Sequence, residues 1–125
     1  MRILLLLLTL LPLVSIAEES EGPMEYALKN GTVYDLRDDQ INSVIQSIKD
    51  HLRDPDSLQI RSNFYTTRSN GYIFVCNLIS AKNSYGGYAE PIMVWTTIIE
   101  GHGIISDMED GIDNVCRNNI ISKYN

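Results

Sequence analysis

Apolar side chains at Ile41, Val44, Ile45, Ile48 and Leu52 recur at steps of three and four, the stripe of an amphipathic helix that buries one face. Asp38 and Asp39 stand where that helix would begin, at the end of its dipole that favours negative charge. Asp54-Pro55 stops it, because a residue ahead of proline is driven out of the helical region. Asp56-Ser57 then completes a turn.

The rhythm next changes to two. Leu58, Ile60 and Phe64 alternate with Gln59, Arg61 and Asn63, which predicts a strand with one buried face; Ser62 is the one polar residue on its apolar side. Arg68-Ser69-Asn70-Gly71 is a hairpin signal. The return strand, Tyr72 to Ser80, is apolar on both faces, with Phe74, Cys76 and Leu78 on one and Ile73, Val75 and Ile79 on the other. A strand dressed on both sides belongs in the middle of a sheet. Pro91 to Ile99 repeats the pattern around Trp95, Glu100 to Gly103 turns the chain, and Ile104-Ile105 adds a short strand.

Met108, Ile112, Val115 and Cys116 share a helical face, predicting a terminal helix from about Asp107 to Lys123 with Asp107, Glu109 and Asp110 in its first turn. Near the other end, Tyr26 to Tyr34 carries an Asn-Gly centre between apolar flanks and reads as a short hairpin; Asn30-Gly31-Thr32 is also a glycosylation sequon, meaningful in a eukaryotic source. The fold class expected is α+β: an antiparallel sheet of three to four strands packed against one amphipathic helix and a C-terminal helix.

The earliest residues change the setting. Met1-Arg2 precedes an apolar run from Ile3 to Leu11 interrupted by Thr9, and Ser15-Ile16-Ala17 places small residues as a signal peptidase requires. About fourteen apolar residues fall short of the roughly 20 that span a bilayer, so residues 1–17 read as a cleaved signal peptide, 18–25 as a flexible segment and 26–125 as one domain. Cleavage would leave 9 basic against 16 acidic residues, a formal charge of −7. Such a surface repels phosphate backbones, which argues against a nucleic-acid partner. No later run is long enough to cross a membrane. Cys76 and Cys116 are the only cysteines, and in an exported chain they predict one disulfide that staples the last helix to the sheet.

Candidate chemistry is sparse. His51 falls near the end of the first helix, where a cation suits the dipole, and His102 sits between two glycines in a turn. No GxSxG elbow, Walker loop, GxGxxG fingerprint or HExxH pair is present. The acidic run from Asp107 to Asp113 lacks the alternating ligands and later glutamate of a calcium loop. No catalytic residue, metal or cofactor is therefore assigned.

The stretch Ala81 to Tyr88, AKNSYGGY, is the exception to this plainness. Gly86 and Gly87 permit positive φ or close approach, while Tyr85 and Tyr88 are large amphipathic rings that lose little entropy on ordering. Asn83 and Ser84 add adaptable hydrogen bonds. Asn83, Tyr85, Gly86, Gly87 and Tyr88 are the candidate binding residues. The same stretch also reads as a purely structural connection, with tyrosines covering the core edge and Asn83 bonding its own backbone.

LRDPDSLQI and VCNLISAKNSYGGY together resemble a family of small exported proteins of proteobacteria and their mobile elements, marked by a DPxS turn and a segment close to C-G-x-x-N-A-K-N-S-[FY]-G-G-Y. The match spans roughly Ile41 to Val94, with Asn77 where the pattern has glycine and Ser80 where it has asparagine. The family has no established activity, so the resemblance implies an exported small domain and no mechanism. The expectation is a non-catalytic periplasmic or secreted protein that binds an unidentified protein or envelope component. The alternatives are an inhibitor of a cationic enzyme such as a lysozyme, or a small hydrolase using carboxylates and His102.

Overall fold

A computed structural model describes residues 22–124; the signal peptide expected at residues 1–17 lies outside the described residues. The elements run α1 (Pro23–Asn30), β1 (Thr32–Val33), α2 (Asp38–Lys49), a 3-10 turn (Pro55–Ser57), β2 (Gln59–Ile60), β3 (Tyr65–Ser69), β4 (Tyr72–Ser80), β5 (Ile92–Ile99), β6 (Gly103–Asp107), α3 (Ile112–Asn119) and a final 3-10 turn (Ile121–Tyr124). The fold is α+β. Its antiparallel sheet has six strands in the order β1-β3-β4-β5-β6, with β2 also on β4. Two of the six are two-residue pieces too short to carry an alternation in sequence.

Both faces of β4 are covered, as its double apolar pattern requires. On one face Ile73, Val75 and Ile79, with Val94 of β5, pack against Val44 and Ile48 of α2. On the other, Phe74 and Cys76 meet Ala27 of α1 and Cys116 and Ile120 from the C-terminal end. Each fully buried isoleucine here contributes about 1.5–3 kcal/mol relative to exposure. The β3–β4 hairpin closes through Asn70 (φ 47°) and Gly71 (φ 85°), successive left-handed residues between Ser69 and Tyr72. That conformation matches the twist of the flanking strands and explains the Asn-Gly pair.

At α2, the Arg37 N–H donates to Gln40 Oε1 at 2.9 Å, half of a capping box. The helix ends at Lys49, six residues before Pro55. Its last turn tightens, with His51 N–H bonding Ile48 O and Leu52 N–H bonding Lys49 O, and half-buried Leu52 packs against the core.

Three expectations are corrected. Tyr26 to Tyr34 is no hairpin: Pro23 to Asn30 is helical, and the flexible segment expected at 18–25 overlaps that helix from Pro23. Proline suits a first helical turn, and the helix buries Ala27 against β4. Gly31 has an ordinary φ of −68°. It is needed for space, since a Cβ there would clash with the Thr67 hydroxyl and lie 2.7 Å from Ala27 O.

The strand expected from Leu58 to Phe64 is also broken. Residues 61–64 oppose Asn77 and Leu78 alone, a bulge between β2 and β3. Ser62 explains it, because its hydroxyl accepts the Leu78 N–H at 2.8 Å and replaces a backbone partner. Asn77, fully buried, donates from Nδ2 to Asn63 O at 3.3 Å across the same bulge.

Finally, the terminal helix starts at Ile112 and not at Asp107. Asp107 closes β6 opposite Trp95, Met108 turns to the α2 face, and Gly111 (φ 91°) admits the helix. Asp107, Glu109 and Asp110 therefore precede it; only Asp113 lies in the first turn.

The staple expected at the C-terminal end is present: Cys76 and Cys116 are disulfide-bonded with Cα atoms 5.9 Å apart. Beyond it, Lys123 Nζ donates to Leu28 O at 2.6 Å and Gly31 O at 2.8 Å, capping the carbonyl end of α1. Burial lowers the pKa of that ammonium. The Tyr124 hydroxyl accepts the Thr66 N–H and donates to Thr66 O, an edge carbonyl that also accepts the N–H of Tyr34 just past β1.

Candidate functional site

Past Ser80 the chain leaves β4 and returns to β5 through a hairpin that closes on itself. Lys82 bridges to Tyr88, Ala89 N–H bonds Ala81 O at 3.1 Å, and Asn83 N–H bonds Gly87 O at 2.8 Å. The tip is shaped by Asn83. Its Oδ1 accepts the N–H groups of Tyr85 (3.0 Å) and Gly87 (3.3 Å), while its carbonyl accepts Gly86 N–H at 3.1 Å. Gly86 sits at φ 81°, where a side chain would strain the backbone. Of the two glycines, only this one is demanded by conformation.

The structural half of the sequence reading thus holds for Asn83 and the bend, but the tyrosines do not cover the core edge. Tyr85 is 95 % exposed and stands clear of the body; Tyr88 is 47 % exposed. The Lys82 ammonium lies 5.8 Å from the Tyr88 ring centroid, within cation–π range.

The root of the hairpin is pinned by the serine of the DPxS turn, which the sequence did not place among the binding residues. Ser57 Oγ donates to Asp54 O at 2.7 Å and accepts the Lys82 N–H at 2.8 Å. The Asp54–Ser57 turn and the AKNSYGGY hairpin, 25 positions apart, therefore meet through one buried hydroxyl. The signal was available as the serine of the turn itself, though nothing in its spacing names Lys82 as partner. A groove of about 200 Å³ at this junction is lined by Arg53, Lys82, Asn83 and Glu90.

Of the two histidines, His51 lines this groove too, and His102 lies elsewhere. His51 Nδ1 is 2.9 Å from Ser47 O, a bond to the carbonyl one turn back when that nitrogen carries the proton. His102 is exposed in the β5–β6 turn, in an open cavity of about 630 Å³ that also holds Arg37, Asp39, Arg68 and Glu100. Both carboxylates there are held by arginines: Arg37 Nε lies 3.0 Å from Asp39 and Arg68 Nη2 2.8 Å from Glu100. The hydrogen bond from Arg37 holds the Asp39 carboxyl below its ordinary pKa. Beneath α2, Thr96, Ser106 and Ser47 form a buried hydroxyl chain with contacts of 2.8 and 2.7 Å. The sequence carries no signal for Ser47, because its partners come from β5 and β6.

Among the described residues, no group of three or more His, Cys, Asp or Glu is placed to hold a metal ion, and no helix is long and apolar enough to cross a membrane. Comparisons with protein-family models, with curated proteins and with solved structures find no match to this chain.

Proposed function

We propose that this chain is an exported, non-catalytic protein that acts in the periplasm or outside the cell by binding a protein or envelope component through its Lys82–Tyr88 hairpin. The observation that carries the reading is the 95 % exposure of Tyr85 on a loop whose backbone is bonded within itself. An aromatic ring in that position adds no core burial, whereas at a contact it supplies large area at the entropic cost of two χ angles. A preorganised loop avoids the ordering cost that weakens flexible binders. Asn83, Gly86 and Gly87 hold the shape, while Tyr85 and Tyr88 present the surface. The Cys76–Cys116 bridge supports an oxidising compartment, and the pairing of Asp39 and Glu100 with arginines leaves His102 without a free carboxylate beside it.

The test is paired affinity capture from envelope extract, using the oxidised protein and its Tyr85→Ala/Tyr88→Ala variant as baits. A component retained by the first and lost with the second, at equal urea midpoints, supports the loop as the recognition surface. Equal retention by both baits rejects it.

A further inference from the structure

The sheet ends at β6, whose one strand neighbour among the described residues is β5. An antiparallel edge of this kind directs alternate N–H and C=O groups outward, a template that only another extended chain satisfies in full. Among the described residues no other strand or helix is paired along it; β6 carries no proline and no lysine, and Ile105 at its centre is 60 % exposed. The helices leave the two sides of this edge recessed. On the α1/α3 side a cavity of about 440 Å³ has Met24, Trp95 and Ile105 as apolar wall and Asp107, Glu109 and Asp110 along its rim. On the α2 side a second, of about 460 Å³, is lined by Ser43, Gln46, Asp50 and Ile104 and shares Ile105 with the first. A strand laid on β6 would place alternate side chains in these two grooves.

Charge selects the occupant. The ion pairs among the described residues are Arg37–Asp39, Arg68–Glu100 and Arg117–Asp113, so Asp107, Glu109 and Asp110 have no cation of their own. We propose that the β6 edge docks an extended, basic segment of another protein, which joins the sheet as a further antiparallel strand. Side chains directly opposite interact across such a pair. The segment would therefore set an apolar residue against Ile105 and, two positions along the same face, a lysine or arginine against Asp107, about 7 Å away. This surface is separate from the Tyr85 hairpin.

The probe is the peptide Thr-Lys-Thr-Ile-Thr-Lys-Thr, with its Glu-for-Lys counterpart, titrated into the oxidised protein and followed by amide NMR and by emission of Trp95, the chain's one tryptophan. The basic peptide should shift the amides of Gly103 to Asp107 and bind about tenfold more tightly than the acidic one, because the residue opposite Asp107 forms an exposed ion pair as lysine and a like-charge repulsion of similar size as glutamate. Asp107→Lys should weaken the basic peptide about fivefold and strengthen the acidic one. Ile105→Asp should weaken both, and Tyr85→Ala neither. Equal affinity for the two peptides, no binding of either, or shifts centred on Ala81 to Tyr88 would overturn the proposal. So would β6 shifts that depend on protein concentration without peptide, since the edge would then pair with a second copy.

Discussion

Removing the disulfide measures how far the C-terminal end depends on its tether. Cys76 and Cys116 are 40 positions apart, and closing a loop of that size withdraws about 13 cal/mol/K from the unfolded chain, near 4 kcal/mol at 25 °C. A domain of this size has roughly 5–15 kcal/mol in all. The loss falls unevenly, because α3 is a helix of 8 residues, below the length that holds itself in water. Without the bridge, α3 is kept in place by Ile112, Cys116 and Ile120 against Phe74 and Trp95 and by the contacts of Lys123 and Tyr124. Urea unfolding of the oxidised protein and of Cys76→Ala/Cys116→Ala, followed by Trp95 emission, supplies the measurement. With a slope of about 2 kcal/mol/M, the midpoint should fall by about 2 M. Trp95 lies opposite Cys76 in the β4–β5 register, so its emission reports on the face that α3 covers. A shift under about 0.5 M at unchanged slope would refute the reasoning, and α3 would then be held by packing alone.

Other outcomes are specific to single residues. Ser57→Ala should cost about 1–3 kcal/mol by leaving the Lys82 N–H without its acceptor, and should speed hydrogen exchange at Lys82 more than at the amides of β4. Gly31→Ala should destabilise by about 1–3 kcal/mol through overpacking, measured by thermal or urea unfolding; Gly22→Ala, with open space around its Cβ position, serves as the control. In a carboxyl titration by NMR, Asp39 should have a midpoint below the ordinary 3.8, returning toward it in Arg37→Gln. Because its folded pKa is the lower one, its contribution to stability is complete above the unfolded value and is lost as pH falls through the folded value.

Much of the fold was legible because its signals are local. The 41–52 stripe, the Asn70-Gly71 turn, the two-faced strand from Tyr72 to Ser80 and the isolated cysteine pair each require only neighbours in sequence or a count. The failures share a cause. Asn30-Gly31 imitates a hairpin turn, yet Gly31 is there for the closeness of Thr67, 36 positions later. Ser62 looked like a blemish on a strand and is the residue that breaks it, because Leu78 supplies the N–H it accepts. The acids from Asp107 to Asp110 resemble a helix start, but the register of β6 against β5 claims Asp107 first.

The amino-acid order alone thus determined the apolar stripes, the turn chemistry and the disulfide partners, all of which follow from backbone preference and side-chain type at short range. Tertiary structure decided which ends met: Ser57 under Lys82, Lys123 over the end of α1, and β6 left as an edge between two grooves. Those contacts depend on free energy gained between segments distant in the chain, where periodicity carries no information about register. Tyr85 shows the division most plainly, since the sequence marks it as an aromatic beside glycines and only the folded chain turns it outward.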